Sequence, residues 1–205
     1  MPPSSDTSPK LSNPPELQPE YTPEERSSLL QLAHEAILAT LEGRPQRPFT
    51  TSSHLSELRG AFTTVYFNGQ LRGCVGYPIA VLPLDRTVIE TAQSAAFDDP
   101  RFVPVTLSEA QSLLVSISVL SPVMPICADD IVVGRHGLIV SRGSYRGLLL
   151  PQVPVEHGWD RITFLEQTCR KAGLPADAWK SDATIEAFTA EVFGDTGART
   201  PERAP

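Results

Sequence analysis

Asn68-Gly69 separates two runs of β-forming residues, Ala61 to Phe67 and Gln70 to Tyr77. Both central residues of a type I′ turn take positive φ, which asparagine and glycine tolerate, so the dipeptide predicts a hairpin with a two-residue loop. Such a loop sets the register of the pair. Phe67 is expected opposite Gln70, Tyr66 opposite Leu71, Val65 opposite Arg72, Thr63 opposite Cys74 and Phe62 opposite Val75. Alternation then gives one face of Phe62, Tyr66, Leu71 and Val75, expected to be buried, and another of Thr63, Val65, Arg72 and Cys74.

The other segments fit around this hairpin as an α+β domain. Thr22-Pro23-Glu24-Glu25 has the capping-box pattern with proline at the first helical position, and the helix it opens presents Leu30, Ala33, Ile37 and Leu41 before Gly43. A second helix is expected from Pro83 to Ala96, stopped by Asp98-Asp99-Pro100, and Thr106-x-x-Glu109 predicts a short one. Leu113 to Leu120 alternates as a strand, and Leu138–Val140 with Tyr145–Leu150 reads as a hairpin around Gly143. Asp160 caps a third long helix ending at Gly173, and Ile185 to Phe193 reads as a strand. Antiparallel hairpins interspersed with helices predict an antiparallel sheet flanked by helices in one domain.

The chain has 205 residues and a net charge of 17 − 24 = −7. Seven of its 20 prolines lie in the first 23 residues, so residues 1–21 and 196–205 are expected to be disordered tails around a folded unit at 22–195. An acidic chain whose longest basic run is Arg170-Lys171 is not expected to bind nucleic acid. Its longest apolar-leaning run, Ser112 to Ala128, is broken by Pro122 and Pro125, so no membrane association is expected. The opening Met1-Pro2-Pro3-Ser4-Ser5-Asp6 lacks the basic and apolar segments of a secretory signal. Three widely spaced cysteines, Cys74, Cys127 and Cys169, suit reduced thiols better than a disulfide framework. Together these features lead to the expectation of a cytoplasmic protein.

The hexapeptide Leu71-Arg72-Gly73-Cys74-Val75-Gly76 is followed by four further ordered segments: Asp99-Pro100-Arg101-Phe102, Ser116-Ile117-Ser118-Val119-Leu120, Gly137-Leu138-Ile139 and Arg146 through Val153. With Gly158-Trp159-Asp160, this set resembles the AMMECR-type domain family, whose bacterial members are called AmmeMemoRadiSam system protein A. The resemblance spans residues 23–194, with Val75 where the hexapeptide usually has isoleucine. It implies an α+β domain with a larger and a smaller lobe around an antiparallel sheet. It also implies association with a Memo-like protein and a radical-SAM protein, and no particular activity.

Arg72 and Cys74 are expected to share a strand face, where the guanidinium would favour the thiolate, the nucleophilic form of the thiol. Gly73 and Gly76 would let a ligand or another backbone approach. The alternative is a Cys74 that is a small buried apolar group and an Arg72 that pairs structurally with a carboxylate. Among the four histidines, His136 in Gly134-Arg135-His136-Gly137 is the best candidate acid or base, although a turn histidine is ordinarily a surface residue. Asp99 with Arg101 is read as an ion pair holding a loop or as a ligand contact, and Arg146 as a further cation for a small anionic ligand.

No phosphate-cradling loop, nucleophile elbow, HExxH or paired Cys/His spacing is present, so neither cofactor nor metal is expected. The lack of a CxxxCxxC run assigns any radical-SAM chemistry to a partner. Two functions remain open: a cysteine-dependent enzyme or enzyme component acting on a small anionic metabolite, and a non-catalytic binding or adaptor module.

Overall fold

Asn68 at φ 51° and Gly69 at φ 74° close the hairpin between β1 (Ala61–Phe67) and β2 (Gln70–Tyr77) in a computed structural model that describes residues 19–198. Its register departs from expectation one step past the turn. Phe67 pairs with Gln70 and Tyr66 with Leu71, but Arg72 is then left over, and Val65 pairs with Gly73, Thr64 with Cys74, Thr63 with Val75 and Phe62 with Gly76. One extra residue in a strand shifts every later cross-strand partner by one. Independently of that shift, the face of β1 that the helices cover is Ala61, Thr63 and Val65, all fully buried, and not the expected face of Phe62, which lies on the opposite side.

The helices that cover this face follow their sequence signals closely. In α1 (Pro23–Leu41), Thr22 and Glu25 complete the capping box, and Leu29, Leu32, Ala33, Ala36 and Ile37 are buried. In α2 (Leu84–Phe97), the seam of Val88, Ala92 and Ala95 packs on the hairpin. Two contacts set its height. A Cβ on Gly73 would lie 1.8 Å from the carbonyl oxygen of Ala95, so only glycine admits the helix backbone here. The hydroxyls of Thr63 and Thr91 meet at 2.8 Å in the dry interface. The capping box of Thr106 and Glu109 opens the short α3 (Leu107–Ala110), which lies against α1.

Beyond β3 (Leu113–Leu120) the chain builds a second sheet from β4 (Met124–Pro125), β5 (Gly137–Arg142) and β6 (Tyr145–Leu149). A five-residue helix, α4 (Gln152–Glu156), which the sequence did not announce, precedes α5 (Arg161–Lys171) with its Asp160 cap. The segment expected as one strand is two, β7 (Thr184–Phe188) and β8 (Ala190–Gly194), and they belong to different sheets. The crossing is at Thr189, whose N–H and C=O are both taken by Ser121, at 2.9 Å each. The sheets run β2-β1-β3-β8 and β4-β7-β5-β6, every pair antiparallel.

The first sheet with α1 and α2 holds the larger core, and the second packs Leu138 and Val140 on α5 through Phe164, Leu165 and Cys169. The faces turned away from the helices meet. Phe62, Leu120 and Ala190 of the first sheet cluster with Ile139, Leu148 and Phe188 of the second. The α+β architecture with two unequal lobes thus stands, with two sheets in place of one. Among the described residues no helix is long and apolar enough to cross a membrane.

Contacts reach into both spans expected as tails: Glu20 pairs with Arg59 at 2.9 Å, the Ala198 N–H binds the Asp195 carbonyl at 2.9 Å, and Tyr21 is drawn into the core. It is 2% exposed within the larger core and stacks on His54 at 4.8 Å, so packing reaches back past residue 22. The rest of the 1–21 segment up to residue 18, and residues 199–205, lie outside the described residues.

Gly73 and Gly76 allow a direct check of the packing. Gly73→Ala drives a methyl into helix backbone and is expected to cost about 3 kcal/mol, the upper end of overpacking penalties. In Gly76→Ala the methyl meets the Phe62 ring at 2.2 Å and the Ala61 carbonyl oxygen at 2.7 Å, so a side chain must move and the backbone must give slightly, and the expected cost is about 2 kcal/mol. Urea unfolding midpoints of the two variants measure the difference.

Candidate functional site

β2 is an edge strand, so the backbone groups of Cys74 that point away from β1 need partners from outside the sheet. The loop after α2 supplies them. Asp99 Oδ2 accepts the Cys74 N–H at 2.9 Å, and Arg101 Nη2 approaches the Cys74 carbonyl at 3.5 Å. Asp99 is 5% exposed, and its oxygens also accept from the Arg101 backbone N–H (3.1 Å), Nε (3.0 Å) and Nη2 (2.8 Å). The Arg101 fork holds the Asp99 carboxyl far below the usual carboxylate range, with the two backbone N–H groups adding to it. Asp99 and Arg101 form an ion pair at 2.8 Å that holds this loop.

Because its N–H is spent on Asp99, Cys74 faces Thr64 as a non-hydrogen-bonded pair, the kind whose side chains stand closer. The Thr64 hydroxyl donates to Cys74 Sγ at 3.2 Å. Ser116 is the next residue across β3 and Gly194 the next across β8. Cys74, Thr64 and Ser116 thus form a row of small polar side chains on the face away from α1 and α2. Thr64 and Ser116 are buried, and Cys74 is half-buried.

Burial pushes the Cys74 thiol above its ordinary range. The Thr64 hydroxyl and the Arg101 charge pull the other way, Asp99 adds to the rise, and burial prevails. The side chain is accordingly a thiol at neutral pH.

Arg72 is not the cation beside that sulfur. It is the extra residue of the irregular pairing, and its guanidinium is spent on the loop before α3. Nε and Nη2 bind Glu109 at 3.0 and 3.4 Å, Nη2 also binds the Pro104 carbonyl at 3.1 Å, and Nη1 binds that of Val103. This is the structural pairing with a carboxylate that the sequence left open, and the cation at Cys74 is Arg101. The two glycines are placed as well. Gly73 admits the backbone of α2, the second of the two approaches expected of it, and Gly76 lies under the ring of Phe62.

His136 and Arg146 stand on the other sheet. His136 Nδ1 accepts the Val132 N–H at 3.2 Å, and burial, with Arg135 adding, pushes its pKa down. Arg146 Nη2 lies 3.7 Å from Glu186. Among the described residues no hydrogen bond or ion pair joins either to Cys74, so no Cys/His dyad forms. Thr64 and Ser116 were missed in the sequence because their place beside Cys74 depends on the one-residue shift at Arg72.

The AMMECR1 family profile matches residues 30–193, a span holding every residue of this site. The chain belongs to the AMMECR1 family. It is 44% identical over 194 residues to a protein of Methanopyrus kandleri, covering 89% of this chain and 94% of that one. A protein of Aquifex aeolicus is 40% identical over 175 residues, with 80% and 90% covered. The crystal structure of the uncharacterised protein PH0010 from Pyrococcus horikoshii superposes with a TM-score of 0.73 at 43% identity, covering 89% of this chain and 97% of that one. None of these AMMECR1 relatives is described with an activity, so the chemistry of the site is argued from its geometry.

The Arg72–Glu109 pair is open to a pH test. The Arg72 hydrogen bonds hold Glu109 at a pKa of about 2, below the ordinary glutamate value of about 4.3. A carboxyl whose folded-state pKa is depressed stabilises the fold above its unfolded value, and that stabilisation is lost as pH falls through the folded one. Glu109→Gln is expected to lower stability by about 2 kcal/mol at pH 7. Wild type and variant should converge as pH falls from about 4.3 towards about 2, which urea unfolding at a series of pH values measures.

Proposed function

We propose that this AMMECR1 domain is a non-catalytic binding module that works with Memo-like and radical-SAM partner proteins. The state of Cys74 carries this choice over a cysteine-dependent enzyme. Its sulfur accepts one hydrogen bond from Thr64, its thiol is raised by burial, and no histidine among the described residues is hydrogen-bonded to it. Thiol nucleophiles act as thiolates, favoured by a neighbouring base or an unspent cation. Here both nearby arginines are committed, Arg72 to Glu109 and Arg101 to Asp99.

An adaptor needs exposed apolar surface, and a patch of it lies just past β2. Leu58, Ile79 and Val81 are exposed on two segments held together by the Arg59 N–H to the Leu82 carbonyl and the Leu84 N–H to the Glu57 carbonyl. Ile79→Asp with Val81→Asp is expected to weaken association with purified Memo-like or radical-SAM protein by about tenfold or more, read by sedimentation velocity. Equal association of wild type and variant would remove the patch as the contact.

The enzyme reading keeps one supporting observation, the Thr64 hydroxyl and Arg101 charge that both favour the thiolate. The alkylation rate of Cys74 against pH decides between the two, measured in a Cys127→Ser background because Cys127 is exposed. A binding module is expected to show an apparent pKa above the ordinary thiol value of about 8.5. A value below it, with Thr64→Val raising it, would restore the nucleophile.

A further inference from the structure

Arg135 is a charged residue without a counterion among the described residues. Its Nε is buried with no hydrogen-bond partner, and it takes part in none of the ion pairs that hold Arg72, Arg101, Arg142, Arg146 and Arg161. A buried donor left unmade is costly, and in native proteins it marks a missing water or ion. The neighbouring residue adds a second donor. His136 Nδ1 accepts the Val132 N–H, so the proton of the neutral ring sits on Nε2, for which no acceptor is present among the described residues.

The backbone holds both residues in place. Gly134 at φ 83° turns the chain, and the N–H groups of Arg135 and His136 both return to the Val132 carbonyl, at 3.2 and 3.0 Å. Arg135 is close enough for its charge to act on the His136 ring, and no carboxylate acts on that ring. Of the two acids that precede the turn in sequence, Asp129 is paired with Arg161 at 2.9 Å, and Asp130 makes no ion pair with Arg135.

We propose that the turn Val132–His136 is a binding site for an oxyanion group, a phosphate or a carboxylate, held by the Arg135 guanidinium and the His136 Nε2–H. An oxyanion accepts from both donors at once and supplies the charge that Arg135 lacks. The turn leads into β5 at Gly137, which lies under the ring of Phe188 in the cluster where the two sheets meet. Phe62, the partner of Gly76, is in the same cluster. The oxyanion site uses none of the residues of the Cys74 row, and it stands or falls independently of the binding-module proposal.

The test is titration of the whole protein with inorganic phosphate, and separately with acetate, at constant ionic strength. It is read from the NMR signals of the Arg135 Nε–H and the His136 ring. Saturable shifts of both are expected with phosphate or acetate and not with chloride, the tighter of the two naming the natural group. Arg135→Gln is expected to weaken binding about tenfold, and His136→Ala to weaken it by a smaller factor. Arg135→Lys, which keeps the charge without the fork, is expected to fall between wild type and Arg135→Gln and covers the case of a misfolded glutamine variant. No saturable shift, the same shifts with chloride, or affinity unchanged in both Arg135 variants would overturn the proposal.

Discussion

An edge strand must satisfy its outward N–H and C=O groups without a neighbouring strand, and at Cys74 the Asp99–Arg101 pair meets that need, the carboxylate taking the N–H and the guanidinium approaching the carbonyl. Asp99 takes the Cys74 N–H while Arg101 locks both of its oxygens, so that one ion pair replaces the missing strand at the residue where it matters. Asp99 reaches this position only because α2 sits low on the hairpin. That height depends on the absent side chain of Gly73 and on the Thr63–Thr91 hydrogen bond. The loop that continues from Asp99 is pinned at its far end by Arg72 through Glu109 and two carbonyls. The hexapeptide is thus chiefly a device for holding α2 and its following loop against β2.

From that geometry the character of the thiol follows. Turning the Cys74 N–H outward makes Thr64 its close-pair neighbour, which places a hydroxyl on the sulfur and a buried row behind it. The same Asp99 that satisfies the backbone adds negative charge near the sulfur and occupies the guanidinium that would stabilise a thiolate. The sulfur therefore sits in a packed, hydrogen-bonded setting in which burial outweighs the pull of Thr64 and Arg101 towards the thiolate.

Local signals in the sequence carried most of the architecture. Thr22 with Glu25, Thr106 with Glu109, and Asp160 each open helices where their side chains predict, and Asn68-Gly69 makes the turn its φ preferences require. What escaped depends on contacts remote in sequence. Nothing in Leu71-Arg72-Gly73 announces that Arg72 drops out of the pairing, because the cause is the Arg72 bond to Glu109, 37 residues on. That single shift placed Thr64 beside Cys74 and turned Val75 to the helix side of the sheet. Likewise Ile185 to Phe193 has the pattern of one strand, and its division at Thr189 is decided by Ser121, 68 residues earlier.

The arginines separate structural from recognition roles more sharply than the cysteine does. Arg72 is saturated by four acceptors from one loop, and Arg101 is closed on Asp99 in a fork. Arg72 would have to break existing bonds to take a ligand, and the carboxylate left behind would bear the cost of an unpaired buried charge, whereas the Arg101 side chain, 45% exposed, binds Asp99 through Nε and Nη2 alone. Arg135 has no such bonds to break. Its buried Nε already bears a desolvation cost that an incoming oxyanion would relieve. On the energetic criterion of what binding removes, the turn before β5 is better suited to anion recognition than the Arg72 of the hexapeptide.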